Sequence, residues 1–237
     1  MFKKHKNRPF IEFQKEFLDS EVIVKTASYE YNVLKPLLFE MIDSMAGVAI
    51  TKQTRVLIKP NLLLPARPER AILTHPLVVK AVAEYVINKG GDVLISDSPA
   101  WGSFEKILKI GGYQKALEGL DVELREFKTS LPVDIGKPFG SIELAKDPFE
   151  ADVVINLAAF HDVNGSEDDP ARAFRVNALG ALFVARAGRQ TGRKIVFFSS
   201  DYVFGQEAGR PSPYLEQDPV GPLNVYGVSK DAGEQLI

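Results

Sequence analysis

Cysteine is absent from this chain of 237 residues, which excludes disulfides, thiolate zinc sites, cysteine-held iron–sulfur clusters and a cysteine nucleophile. Histidine is almost as scarce. His5, His75 and His161 lie far apart and none has a second ligand at metal spacing, so they read as surface or capping residues and no metal site is expected. An excess of either charge is also missing: 29 Lys and Arg stand against 31 Asp and Glu, a net charge of -2. No global field gathers nucleic acid or anionic lipid. No uninterrupted apolar run nears the ~18 to 20 residues of a spanning helix. The basic start Met1-Phe2-Lys3-Lys4-His5-Lys6-Asn7-Arg8 leads into Glu12, Lys15 and Glu16 rather than into a signal-peptide run. The expectation is a soluble protein of a reducing cytoplasm, with neither nucleic acid nor membrane as partner.

What is present is an ordinary globular mixture, 45% hydrophobic and 25% charged, enough for one or two domains. Short β-rich runs at Val56–Ile58, Val93–Ile95, Val122–Leu124, Val153–Ile155 and Ile195–Phe198 alternate with segments of helical period. Between the first two, Pro76 to Lys89 puts Val78, Val79, Val82, Val86 and Ile87 on one helical face, and Gly90-Gly91 stops the helix. Ser103 is the expected N-cap of a helix reaching Gly111-Gly112, and Tyr113 to Leu120 extends that connection. Pro170 to Gln190 reads as one helix with Ala173, Phe174, Val176, Asn177, Gly180, Ala181, Val184 and Ala187 turned to the sheet. Ser130 to Pro148, with Pro132, Gly136, Pro138 and Gly140, reads as irregular except for a short strand at Ser141 to Leu144. The pattern is α/β: an open, mainly parallel Rossmann-like sheet with helices on both faces.

The strongest chemical constellation is Tyr226-Gly227-Val228-Ser229-Lys230. Residues four apart on a helix share a face, one turn from each other. A carbonyl reductase needs a proton donor at the oxygen while hydride reaches the carbon. A neighbouring cation stabilises the phenolate and brings a phenol of pKa near ~10 closer to neutrality. Upstream, the strand run ends in Ser199-Ser200-Asp201-Tyr202-Val203-Phe204, so hydroxyls stand at the carboxyl end of a parallel strand, where open α/β sheets bind ligands. Ser200 is placed to hold a carbonyl or alcohol against Tyr226.

These residues resemble the extended short-chain dehydrogenase/reductases, and among them the dTDP-4-dehydrorhamnose reductases. The matching blocks are Asp152 to Phe160, Ala173 to Ala178, Ser199 to Phe204, Asp218-Pro219, and Pro222 to Lys230 with Gly233-Glu234-Gln235. The resemblance implies an NADP- or NAD-dependent reductase of a keto-sugar nucleotide. It implies that Ser200 positions the substrate, that Tyr226 is the acid/base, and that Lys230 binds the nicotinamide ribose and tunes Tyr226. Asn156, Ala158 and Ala159 would line the cofactor and Asn177 would sit behind it.

The first two thirds depart from that family. In place of a Gly-rich turn after the first strand stands Lys59-Pro60-Asn61-Leu62-Leu63-Leu64-Pro65-Ala66, without a glycine and with prolines where a phosphate needs amides. The family also continues past its Tyr-x-x-x-Lys helix into a sugar-nucleotide lobe, whereas this sequence stops at Ile237. Residues from about 20 to 156 resemble an uncharacterised family, domain of unknown function three hundred and sixty-two. The resemblance rests on Val56 to Leu62, Thr74 to Val79 and Gly91 to Pro99. The expected organisation is a half-domain over 1–150 and a nicotinamide-side half-domain over 151–237, merged into one α/β domain like a chimera spliced at a shared strand. An NAD(P)-dependent reductase inactive in this form is the leading expectation, and a non-catalytic chimeric or designed scaffold the alternative.

Weaker candidates have bland counterparts. Asp97 ends a strand and could bind a ribose hydroxyl, or simply initiate the turn before Ser98-Pro99. Lys59 with Asn61 could form an anion pocket, or a polar turn. Glu167, Asp168 and Asp169 before Pro170 read as helix N-terminal acids rather than metal ligands. Trp101, beside Gly102, fits a ligand-facing lid or packing beneath its loop.

Overall fold

The computed structural model describes residues 23, 25–44, 50–134, 140–207, 210, 212, 214–215 and 217–237. The basic start with His5, and Gly136 and Pro138 of the stretch expected to be irregular, lie outside them.

Each β-rich run forms a strand: β1 (Arg55–Lys59), β2 (Asp92–Asp97), β3 (Val122–Glu126), β6 (Val153–Asn156) and β7 (Lys194–Phe197). They form one parallel sheet in the order β3-β2-β1-β6-β7. Continuous apolar runs suit strands covered on both faces. Val56, Ile58, Val93, Ile95, Val153, Ile155 and Val196 join the main core on one face. Leu57 and Val154 point to the other, with Leu94 and Ile195 beside them.

The main core is roofed by α2 (Pro76–Asn88), α3 (Phe104–Ile110) and α4 (Tyr113–Ala116), the connections of β1 to β2 and β2 to β3. His75 caps α2 by accepting from Leu77 N, and Ser103 caps α3 by accepting from Lys106 N. An additional helix, α1 (Tyr31–Ser44), lays Leu34, Leu38 and Ile42 inward at four-residue spacing. The opposite face is covered by α7 (Gly180–Thr191), with Gly188 against Ile195, and by α8 (Val225–Leu236), with Gly233 near Phe197. Helices therefore flank both faces, as expected.

Two stretches differ from the sequence expectation. Ser130 to Ala145 holds an antiparallel pair, β4 (Ser130–Asp134) and β5 (Ser141–Ala145), instead of one short strand. Pro132 sits within β4, which a two-stranded ribbon tolerates because both strands are edges. The single helix expected over Pro170 to Gln190 is divided into α6 (Pro170–Phe174), a π-helical turn (Arg175–Leu179) and α7. The wider turn rotates the faces, so Phe174 and Val176 are 36% and 41% exposed while Asn177 and Ala178 are buried. A short helix, α5 (Val163–Asp168), precedes them.

β1 pairs with β6 in parallel at the middle of the sheet. The register runs Val56↔Val153 to Lys59↔Asn156, and Arg55 holds Asp152 through its backbone N–H and two guanidinium contacts of 3.0 and 3.3 Å. Because the chain leaves β1 toward β2 on one side and has β6 and β7 on the other, β1/β6 is the point where strand order reverses. Lys59, Asp97, Asn156 and Phe197 mark the carboxyl edge around it.

Candidate functional site

Helix α8 carries the expected pair and is held at its start by two side chains. Asn224 accepts from Gly227 N at 2.8 Å, and Glu167 accepts from Val225 N at 2.7 Å. Glu167 thus caps a helix remote in sequence, while Asp169 caps α6 by accepting from Arg172 N. Asp162 does the same for α5 through Gly165 N.

Tyr226 is 8% exposed, stands edge-on to Tyr202 at 5.5 Å between ring centroids, and lies near the Ser200 side chain. Burial pushes the phenol above its ordinary pKa. The Ser200 hydroxyl works the other way, and the charges of Asp201 and Tyr202 add to the rise. Ser200 also accepts from Tyr202 N, which fixes it at the start of a 3-10 turn.

Lys230 is 1% exposed, and its Nζ donates to Phe198 O at 2.7 Å and lies 4.0 Å from the Phe197 ring centroid. Its ammonium is thereby held on the end of β7, and burial lowers its pKa to about 8, against the opposing charge of Glu234. Besides burial, the groups that shift Tyr226 are Ser200, Asp201 and Tyr202. Glu234 lies one turn after Lys230, and burial raises its pKa, with the Ser199 side chain opposing.

A measurable consequence follows from Lys230. Its folded pKa lies below the ordinary 10.5, so between about 8 and 10.5 the unfolded chain binds more protons and stability rises with pH. At neutral pH the buried charge costs about 3 kcal/mol, at roughly 1.4 kcal/mol per pH unit. Lys230→Met removes that cost and leaves Phe198 O without its donor, so we expect a net gain of about 2 kcal/mol at pH 7. Urea unfolding at pH 7 and 9.5 checks both effects, and a Lys230→Met protein less stable than its parent at pH 7 contradicts the assignment.

Of the residues expected to line a cofactor, Asn156 is 6% exposed and accepts from Ala158 N at 3.1 Å, which shapes the turn through Ala158 and Ala159. Asn177 is 1% exposed and fully engaged. It accepts from Phe160 N, and donates to Phe160 O and to Ser229 Oγ, while Ser229 donates to Tyr226 O. The π-helical turn aims Asn177 this way and ties the loop after β6 to α8. Ser229, Asn224, Glu234 and Phe198 were given no role of their own from the sequence, and Glu167, read as an N-terminal acid of the helix at Pro170, caps α8 instead. Asn224 had a local signal, an Asn ahead of a helix, whereas the others act across long separations.

The loop after β1 is closed upon itself. Asp97, 4% exposed, accepts from Lys59 Nζ at 2.5 Å and from Leu62 N at 2.7 Å. Asn61 N donates to Thr74 Oγ1 at 2.8 Å, and Leu63 O accepts from Ala100 N and Trp101 N. Leu62 is wholly buried. A nicotinamide dinucleotide thus fits one half of this edge and not the other: hydroxyl, phenol and ammonium gather near β7, but in the turn that should cradle the pyrophosphate the amides of Asn61 and Leu62 are engaged and residues 60 and 65 are prolines. Lys59 and Asn61 belong to a polar turn, whereas Asp97 closes onto that turn instead of initiating the one before Ser98-Pro99.

Trp101 is 78% exposed, which excludes packing beneath its loop. His75 caps α2 and stacks on Tyr29 at 3.9 Å. His161 is half-buried and bonded to Asn61. Among the described residues no group of three or more metal-ligating side chains forms, and no helix is long and apolar enough to cross a membrane. A cleft of about 910 Å³ opens beside α3, β3 and the 3-10 turn Asp147–Glu150, and no expected site residue lines it.

A parallel sheet in this strand order, with Ser, Tyr and Lys gathered at its carboxyl edge, is of the Rossmann-like, short-chain dehydrogenase/reductase type. The chain belongs to the RmlD substrate binding domain family, whose sequence model matches residues 114–237, more than half of its length. The model of a second family, Domain of unknown function (DUF362), matches residues 56–165, so both cover 114–165. The thylakoid-associated protein sll1697 of Synechocystis is 36% identical over 137 residues, covering 57% of this chain and 43% of that protein. A dTDP-4-dehydrorhamnose reductase of Mycobacterium tuberculosis is 40% identical over 126 residues, covering 52% of this chain and 40% of the reductase. The chain thus spans less than half the length of these curated relatives. Among solved structures, the UDP-glucose-4-epimerase of Stenotrophomonas maltophila, with bound NAD and formylated UDP-arabinopyranose, superposes with a TM-score of 0.50. It is 21% identical, with 78% of this chain and 47% of the epimerase covered, which shows a common fold.

Proposed function

We propose that residues 151–237 carry the catalytic half of a nicotinamide-dependent keto-sugar-nucleotide reductase, and that the chain in this form does not take up the dinucleotide. Ser200 would orient the substrate oxygen, Tyr226 exchange its proton, and Lys230 hold the nicotinamide ribose. Relatives that are dTDP-4-dehydrorhamnose reductases support the substrate class. The observation that carries the inactive state is the engagement of Leu62 N by Asp97 and of Asn61 N by Thr74 between Pro60 and Pro65. Without a pyrophosphate anchor, the catalytic groups have no hydride donor held in place.

A site of about 10 μM affinity would add about 2.7 kcal/mol of stability at 1 mM ligand. We expect neither NADPH nor NADH at 1 mM to shift thermal unfolding or to give saturable heat in calorimetry. Saturable binding, or reduction of a dTDP-4-keto sugar, overturns the reading. The second reading is a non-catalytic chimeric scaffold, made of a half-domain over 1–150 merged with one over 151–237 in a cytoplasmic protein. The overlap of both family matches across β6 favours it, and a single cooperative unfolding transition is its expected signature.

A further inference from the structure

At the point where strand order reverses, the loop after β1 and the loop after β6 meet through two side-chain contacts: Thr74 Oγ1 donates to Leu157 O at 3.5 Å, and Asn61 Nδ2 and His161 Nδ1 lie 3.1 Å apart. The second proton of the same amide goes to Ile72 O at 3.2 Å, which fixes the amide orientation because a carbonyl accepts only from the nitrogen. His161 Nδ1 must then accept, so the neutral ring carries its proton on Nε2. The carbonyls of Ala159 and Ala71 also face the ring. One imidazole therefore touches the loop after β6, the loop after β1 and the segment at Ala71.

We propose that His161 is a proton-operated latch across this crevice, holding the two loops together while neutral and releasing them when a proton from solvent occupies Nδ1. Protonation places an N–H against the N–H of Asn61. Turning the amide would restore the ring contact only by setting Asn61 Oδ1 against the Ile72 carbonyl. One bond is lost either way.

The surroundings fix the direction. Burial lowers the pKa of His161 from its ordinary 6.5, while Asp162 on its own loop and the two carbonyls oppose that shift. From the loop after β1 the ring meets the neutral amide of Asn61, and the one charged group of that turn, Lys59, is paired with Asp97. Because the folded pKa is depressed, the latch is fully engaged above pH 6.5 and is lost as pH falls below it. Nothing in this requires a nicotinamide to bind, so it stands or falls apart from the proposed function.

The chain supplies its own reporter. Trp101 is the single tryptophan, and its backbone and that of Ala100 donate to Leu63 O, at 3.1 Å each, in the loop that the latch holds. Between pH 7.5 and 5.0 the tryptophan emission of the whole chain is expected to change sigmoidally, with a midpoint below 6.5. His161→Gln keeps an acceptor for Asn61 without a titrating proton and should abolish the transition; His75→Gln should retain it. In the parent protein, hydrogen exchange corrected for intrinsic rate should show residues 59–64 and 157–161 losing protection about tenfold at pH 5.0, with β2 and β7 unchanged. A transition that persists in His161→Gln, or equal protection of both loops at the two pH values, overturns the latch.

Discussion

Asp97→Ala is expected to lower the unfolding free energy by about 3 to 4 kcal/mol. The carboxylate is 4% exposed and closes two bonds, from Lys59 Nζ at 2.5 Å and from Leu62 N at 2.7 Å. Breaking a buried charge pair from one side typically costs about 3–5 kcal/mol, because the remaining charge is left uncompensated. The Lys59 side chain keeps 26% exposure and recovers some hydration, which reduces that figure. Leu62 has no such recourse, and its orphaned N–H adds about 1–3 kcal/mol. Asp97→Asn should lose less, since one oxygen can still face Leu62 N. The measurement is the urea midpoint at unchanged m-value. A loss below 1 kcal/mol for the alanine variant would remove the structural role of Asp97 and reopen the ribose-binding one.

Gly227→Ala inverts an ordinary rule. In an exposed helix the change gains about 0.5–1 kcal/mol, because glycine loses more backbone entropy on folding. Here a Cβ would overlap the carbonyl oxygen of Tyr202 and stand 2.9 Å from Pro222 Cβ. Backbone on a 3-10 turn cannot yield as a side chain does, so we expect a loss of about 3 kcal/mol or an α8 pushed off the sheet. The edge contact of Tyr202 with Tyr226 lies on the same approach, so the near-ultraviolet circular dichroism of the variant should change as well. A thermal midpoint equal to or above that of the parent would show that α8 is not seated as described.

What could be read from the sequence divides by the range of the interactions. All five core strands were legible because each is an apolar run in a parallel sheet covered on both sides, and the caps at Ser103 and His75 mark their helices within three residues. The Tyr226–Lys230 pair followed from helical spacing together with resemblance. Glu167 reaching Val225 N, Asn61 reaching His161 and Asn177 reaching Ser229 leave no local trace, because their partners lie 58, 100 and 52 residues away. Spacing places Lys230 one turn from Tyr226, but only the fold shows its ammonium captured by Phe198 O. The β4–β5 ribbon was hidden by Pro132, which argues against a central strand and not against a two-stranded one.

The π-helical turn at Arg175–Leu179 makes residue count, more than residue type, the sensitive property of its segment. Deleting a single residue there would return the chain to 3.6 residues per turn and rotate everything upstream by about 100°. Ala173 would leave its buried position and Asn177 would no longer face Phe160 and Ser229. Side-chain replacement at the exposed Val176 leaves that geometry alone. In this stretch a shift in length is therefore the drastic change and an exchange of side chains the mild one.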